Sequence, residues 1–244
     1  MQMQSDFNVD LTNEAAELMR KADAGDAEAQ YLFATYLIRE PDNSYRKDLT
    51  FEEVSRAMRY MQLSAAQGHF HGIAADELGM IYYDGEIVPL DYTKAKLWFN
   101  TALLKGIPTS AYMLGECAYC GHGEDIDYEK AAQYYLQAAA GYINAMIRLG
   151  DMYMCGNYLP LDPAFAQKIY SYVLDDENKL HQKHGFFSSA HEMVRNRLDD
   201  IERNDVAPDC SLEDETVEQL RIRSELLEIM RDKAEKSAAN AEGG

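Results

Sequence analysis

The pair Leu78-Gly79 recurs as Leu114-Gly115 and Leu149-Gly150, 36 and then 35 residues further on, and a period of that length restricts the fold more than any other property of the chain. Three further series keep the register. Lys94-Ala95, Lys130-Ala131 and Phe165-Ala166 are spaced by 36 and 35 residues, as are Gly85, Gly121 and Gly156, while Gly68, Gly106 and Gly141 are spaced by 38 and 35. A unit this short cannot bury an apolar face by itself, so consecutive units must stack on one another.

Each unit reads as two helices. The first, Ser110 to Cys120 for example, carries small and apolar residues at intervals of three and four and then meets Gly121, a residue suited to the left-handed cap that ends a helix. The second opens at Asp91, Asp127 or Asp162, whose carboxylates accept hydrogen bonds from the unpaired amides of a helix start, and Pro163 fits the first helical position. Ala95, Trp98 and Ala102, or Ala131, Tyr134 and Ala138, form its expected buried stripe, and Gly106 or Gly141 ends it. Glycine within a helix costs roughly 1 kcal/mol relative to alanine, so Gly79, Gly115 and Gly150 at one register need a reason. The spacing predicts close approach of a neighbouring helix backbone, with Ala95 and Ala131 as the small partners.

Upstream the pattern is weaker. Ala29 to Ala34 aligns with a first helix and Arg56 to Tyr60 with a second, separated by an insertion over Arg39 to Leu49 that contains Pro41, Asp42, Asn43 and Ser44. Thr50-Phe-Glu-Glu53 has the form of a capping box, and Asn13 to Ala24 followed by Gly25 predicts an end-capping helix. Beyond Leu174 the period is lost. Two helices are expected there, Ser188 to Ile201 and Ser211 to Lys236; Val217, Leu220 and Leu227 have the spacing of a short coiled-coil seam, but Ser224 and Arg231 interrupt it, and the helices are read as capping the open end of the array. The expected organisation is an end-capping helix over 1–25, a repeat array of about four units over 26–174 with the first degenerate, a helical cap over 175–236 and a disordered tail over 237–244.

These segments resemble the Sel-one-like repeat family, short relatives of tetratricopeptide repeats. That pattern runs Ala, three residues, Leu-Gly, two residues, Tyr, two residues, Gly, then Asp, two residues, Lys-Ala, two residues, Trp or Tyr, and a closing Ala-Ala and Gly. Ala74, Leu78, Gly79, Tyr82, Gly85, Asp91, Lys94, Ala95, Trp98, Ala102 and Gly106 match it almost fully. The next unit has Leu114, Gly115, Gly121, Gly123, Asp127, Lys130, Ala131, Tyr134, Ala138 and Gly141, with Ala118 at the tyrosine position. The third has Ala145, Leu149, Gly150, Tyr153, Gly156, Asp162 and Ala166. The resemblance implies an all-α fold, a right-handed superhelical solenoid of helix-turn-helix repeats with C-terminal capping helices, used mainly to scaffold protein complexes.

Charge narrows the partners. Against 23 Lys and Arg stand 42 Asp and Glu, a formal charge of −19 that repels nucleic acid backbones and anionic membrane surfaces. Residues 175–244 hold 18 acidic and 10 basic residues, so the carboxyl-terminal part is itself acidic. The amino terminus has no basic patch followed by an apolar stretch, and a cytoplasmic location with reduced thiols is expected for Cys117, Cys120, Cys155 and Cys210. Cys117, Cys120 and His122 have a metal-like look, but zinc takes four convergent ligands and only one close cysteine pair exists, so Cys117 and Cys120 are read as buried thiols. His181, His184 and His191 with Glu192 do not have the spacing of a zinc helix. No nucleophile motif or phosphate loop emerges; no cofactor, metal or catalytic residue is expected, and the chain is read as non-enzymatic.

The resemblance implies that the first helix of each unit lines the inner, concave curve. Residues one before, two after and five after the repeated Leu then face outward: Glu77, Met80 and Tyr83; Met113, Glu116 and Tyr119; Arg148, Asp151 and Met154. Aromatic and methionine side chains supply adaptable contact area, and carboxylates steer a basic partner. A monomeric adaptor that binds a protein or peptide there, regulating, inhibiting or positioning it, is the leading expectation. The same side chains would also serve as packing between units. A ligand-binding protein or enzyme with a site at the end of the array, and self-assembly through the final helix, are the rival readings.

Overall fold

A computed structural model describes residues 13–67, 71–184, 189–204 and 216–242. Those residues form helices and their connections, and the single extended pairing among them is an isolated bridge between Arg39 and Tyr45. The chain divides into two compact units, residues 1–107 and 108–244. The first contains α1 (Asn13–Asp23), α2 (Ala27–Ile38), α3 (Phe51–Ala65), α4 (His71–Asp84) and α5 (Tyr92–Leu103). In the second lie α6 (Pro108–Cys120), α7 (Tyr128–Ala139), α8 (Ile143–Cys155), α9 (Pro163–His184), α10 (Ser189–Asn204) and α11 (Val217–Glu242). The helices pack in antiparallel pairs, α2 with α3 and α4 with α5 in the first unit, α6 with α7 and α8 with α9 in the second.

The helix starts are chemical in origin. Asp91 accepts from the Lys94 amide at 3.0 Å, Asp127 from Lys130 at 2.9 Å and Asp162 from Phe165 at 2.9 Å. Thr50 and Glu53 form the reciprocal capping box of α3, with the Thr50 amide donating to Glu53 at 2.8 Å and the Glu53 amide donating to Thr50 at 3.2 Å. The loops of the α4–α5, α6–α7 and α8–α9 pairs are closed in one way. The amide of the capping aspartate donates back to the first helix, from Asp91 to the Tyr82 carbonyl, from Asp127 to Ala118 and from Asp162 to Tyr153, each at 2.9 Å. Because the acceptor is a carbonyl, Ala118 serves as well as tyrosine. The glycine after the first helix lets the chain turn into this loop: Gly156, at φ 67° in the left-handed region, donates its amide to the Met152 carbonyl.

The glycines within the first helices face aromatic rings, and this corrects the expectation of a close backbone with an alanine partner. A Cβ on Gly79 would lie 2.4 Å from the Phe99 ring, one on Gly115 2.6 Å from Tyr135 and one on Gly150 2.5 Å from Tyr170. Each ring stands four residues after the repeated Ala95, Ala131 or Ala166, one turn along the same face. The alanine and the glycine together open the slot. Phe99, Tyr135 and Tyr170 are fully buried, whereas Trp98 and Tyr134, assigned to the buried stripe from sequence, are only half-buried. The period had located the right face of the helix one residue too early. Burying a side chain of phenylalanine size contributes roughly 1.5–3 kcal/mol, which offsets the intrinsic cost of the glycine.

Past the repeats, α9 runs on to His184, well beyond Leu174, and α10 packs on α9 and α8. The final helix continues to Glu242, where the sequence placed a disordered tail from residue 237. Its buried side chains are Ile222, Leu226 and Met230. The interrupted Val217, Leu220, Leu227 spacing is not the packed face: Val217 and Leu220 are exposed and Leu227 is half-buried. Helix α11 lies on α7 and is tied down by Arg223, whose guanidinium meets the Asp162 carboxylate at 2.7 Å and stands 4.3 Å over the Phe165 ring. The expected helix start at Ser211, the amino-terminal segment and Cys210 lie outside the described residues. No described helix is long and apolar enough to cross a membrane.

The ring slot is open to test. Gly115→Leu is expected to lower unfolding stability by about 2 kcal/mol or more through overpacking, measured by denaturant titration. Shortening the ring in the pair Gly115→Ala, Tyr135→Leu should give less than the sum of the two single losses; strict additivity would show that the contact is not the source.

Candidate interaction site

The carboxylates that follow Gly115 and Gly150 build the site. In α6, Glu116 stands next to Gly115, and its Oε1 accepts the Tyr135 hydroxyl at 2.6 Å. The same carboxylate receives Nε and Nη2 of Arg148, from α8, at 2.7 and 3.0 Å. The constellation repeats one unit on. Asp151, next to Gly150, accepts the Tyr170 hydroxyl at 2.8 Å and Nε and Nη2 of Arg197, from α10, at 2.5 and 2.7 Å. Adjacent first helices are thus joined by a bidentate bridge seated on the buried tyrosine of the helix behind. In the first unit the ring is Phe99, which has no hydroxyl, and the residue after Gly79 is Met80. Polarity of the ring and polarity of the following residue change together.

Burial shapes the charges. The Arg148 and Glu116 side chains are 24% and 16% exposed, and Arg197 and Asp151 30% and 16%. Loss of water works against the Arg148 charge, but Tyr135 and Glu116 more than offset it, so the guanidinium holds its proton well above its usual range. Burial, reinforced by the adjacent carboxylates, pushes the Tyr135 and Tyr170 hydroxyls far above ordinary tyrosine, so both remain donors. Arg148 also stacks over the Tyr119 ring at 4.7 Å, and Tyr119 accepts from the Asn157 amide at 2.8 Å.

Between these bridges lies a cavity of about 320 Å³ lined by Tyr119 from α6, by Arg148, Asp151, Met154 and Cys155 from α8, by Tyr170 from α9, and by Arg197, Asp200 and Ile201 from α10. Four of the nine residues expected to face a partner, Tyr119, Arg148, Asp151 and Met154, are brought together here. Glu116 sits behind Arg148, and Met113 is half-buried outside the lining. Glu77, Met80 and Tyr83 belong to the first unit. Glu77 is bound by the Arg39 guanidinium, which lies 4.4 Å over the Tyr45 ring, and Tyr83 packs edge-on to Tyr92 and Phe99. All nine are half-buried, and several spend their polar atoms on bridges within the chain.

The sequence missed Tyr170, Arg197, Asp200, Ile201 and Cys155. Tyr170 was within reach, since Phe99, Tyr135 and Tyr170 keep the 36 and 35 spacing. Arg197, Asp200 and Ile201 lie where the period has ended and had no signal. Cysteines need correction too: Cys117 is buried as expected, but Cys120 is exposed. Partial burial, with Glu116 nearby, raises the Cys120 thiol above its ordinary range, the reverse of an activated nucleophile. Among the described residues no group of three or more His, Cys, Asp and Glu side chains is arranged to hold a metal ion. The side chains of His181 and His184 lie outside the described residues.

A family model described as "Sel1 repeat" matches residues 45–69, 72–107, 108–141 and 143–171, half of the chain. The chain belongs to the Sel1 repeat family. The matched segments 72–107, 108–141 and 143–171 contain the three ring slots, whereas 45–69 covers α3 without α2, and the fold is an all-α helical repeat. Among solved structures, the chain is similar to c5321, a protective antigen of uropathogenic Escherichia coli strains with an SLR fold, at 24% identity and a TM-score of 0.58. That similarity covers 89% of this chain and 49% of the other, so the chain spans about half the length of the Escherichia coli protein. A Sel1 repeat protein from Oxalobacter formigenes is 30% identical over 57% of this chain and 99% of its own, with a TM-score of 0.45. No curated protein matches the chain. Sel1 repeats are generally protein-interaction scaffolds.

Removing one member of a buried ion pair leaves the other charge stranded and costs roughly 3–5 kcal/mol when fully buried; the partial exposure here reduces that to about 1–3 kcal/mol. Arg148→Met is expected to destabilise by that amount. The triple variant Glu116→Met, Tyr135→Phe, Arg148→Met, which copies the residues Met80, Phe99 and Met113 found at the same repeat positions, should lose less than Arg148→Met alone. Chemical denaturation of the three proteins, including wild type, checks the order.

Proposed function

We propose that this Sel1-repeat chain is a non-enzymatic adaptor that docks a protein segment on the first-helix side of its second unit, at the cavity between α6, α8 and α10. The cavity itself carries the reading. Its rigid frame is made of bridged arginines and carboxylates, while its rim offers Tyr119, Met154 and Ile201, residue types that give adaptable contact area to a partner side chain. Family membership supports the reading, because Sel1 repeats are generally scaffolds for protein interaction. Arg148, Asp151, Tyr170 and Arg197 at the cavity are engaged in bridges within the chain, an arrangement suited to binding rather than to proton transfer. A monomer that contacts a basic partner in the cytoplasm, without nucleic acid or membrane, completes the proposal, and a regulatory or inhibitory effect on the partner would follow from blocking its bound segment.

The double variant Met154→Ala, Ile201→Ala alters the rim and leaves the bridges in place. Crosslinked capture from native lysate, read by mass spectrometry, should recover a protein partner with wild type and about tenfold less with the variant, provided that both show the same melting curve. Equal recovery with both would place the contact elsewhere on the chain. A small molecule retained in native mass spectra, with no protein captured, would favour the ligand-binding reading instead.

A further inference from the structure

We infer that the cavity of the second unit receives a cationic side chain, lysine or arginine, from an extended segment of the partner protein. This rests on the docking reading above and names the chemistry recognised there. The two guanidinium groups at the cavity are already committed. Arg148 turns Nε and Nη2 to both oxygens of Glu116, and Arg197 turns Nε and Nη2 to both oxygens of Asp151. The Nη1 of Arg197 donates to the Met193 carbonyl at 3.3 Å, and the Nη1 of Arg148 lies 3.8 Å from Asp151. An anionic ligand would meet only the Nη1 edges of these groups, with the carboxylates of Glu116 and Asp151 beside it as repelling charges.

What the cavity offers a newcomer is different. Asp200 stands at its edge with a side chain 67% exposed, paired at 3.5 Å with Arg203, itself 71% exposed. A pair between two such exposed groups is weak and readily exchanged. Beside it Met154 and Ile201 give an apolar wall and Tyr119 an aromatic one. Lysine and arginine carry an aliphatic stem that suits such a wall and a charged head that suits a carboxylate at its rim. The cavity of about 320 Å³ has room for one long side chain with part of its neighbour. Asp199 and Glu202 flank Asp200 in sequence, and the chain as a whole carries −19, so the field around the site attracts a cation before contact.

Cys155 lines the same cavity and is exposed, which gives a local readout. A random linear peptide display library is panned on the full chain carrying Cys120→Ser and Cys210→Ser, with Cys117 buried, and selected pools are scored for protection of Cys155 from an aromatic disulfide reagent. Pools that protect Cys155 should be enriched in lysine and arginine about threefold over the input library. Asp200→Lys should weaken their binding by about fivefold, whereas Asp125→Lys, the same charge change at an exposed position outside the lining, should leave it nearly unchanged. Asp200→Asn serves if the lysine variant fails to reproduce the wild-type melting curve. Protecting pools without lysine or arginine enrichment would overturn the cationic inference and leave the docking site standing. Equal weakening by Asp200→Lys and Asp125→Lys would reduce the preference to the general field of the chain and overturn the socket. If no pool protects Cys155, the docking site and the inference fall together.

Discussion

A buried aromatic ring lying against a glycine inside the neighbouring helix is the contact on which the repeat depends. A Cβ at Gly79, Gly115 or Gly150 would stand 2.4–2.6 Å from the nearest ring carbon, so any side chain there would force the helices of a pair apart. The alanine one turn before the ring completes the slot, and the loop bond from the capping aspartate to the first helix fixes how the two helices meet. These elements form one device. The ring supplies the buried area, the glycine supplies the approach, and the aspartate sets the start of the helix that carries the ring.

In the second unit the same device acquires a polar extension. Once the ring is tyrosine, its buried hydroxyl needs an acceptor, and the residue after the glycine is the one placed to supply it. Glu116 and Asp151 do so, and each then holds an arginine from the next first helix, Arg148 or Arg197. The carboxylate therefore satisfies a core hydroxyl and crosslinks two helices at once. Its cost of desolvation is met by three donors, which is the condition under which a half-buried charge is tolerated. The cavity is a by-product of this geometry: two rigid bridges in succession leave a space between them, and the side chains at its rim are free to vary in chemistry without disturbing the core.

Half-burial of the nine outward-facing residues shows why a surface inferred from spacing alone is ambiguous. Glu116, Arg148 and Asp151 were identified as partner-facing from their register, and they do line or support the cavity, yet their strongest contacts are within the chain. Met154 and Ile201 are consumed by no bridge, while Tyr119, stacked under Arg148 and bonded to Asn157, offers a fixed aromatic wall. In the proposed docking, the charge on the chain favours a cationic segment, and the engagement of both guanidinium groups by carboxylates works against an anionic one.

The sequence by itself determined the periodicity, the helix starts at Asp91, Asp127 and Asp162, the capping box at Thr50, and family membership, because each rests on local spacing or on hydrogen bonds between near neighbours in the chain. It located the special glycines but not what fills the space above them. Choosing between Trp98 and Phe99, or Tyr134 and Tyr135, requires knowing how the second helix is rotated about its axis, and adjacent residues differ by about 100° on a helix. Only the tertiary structure decided that rotation. It also decided the cavity, since Arg197, Asp200 and Ile201 come from α10, beyond the last repeat, where no period remains to align them. Bridges between residues 46 positions apart, such as Asp151 with Arg197, are made by packing, and packing has no signature in local sequence.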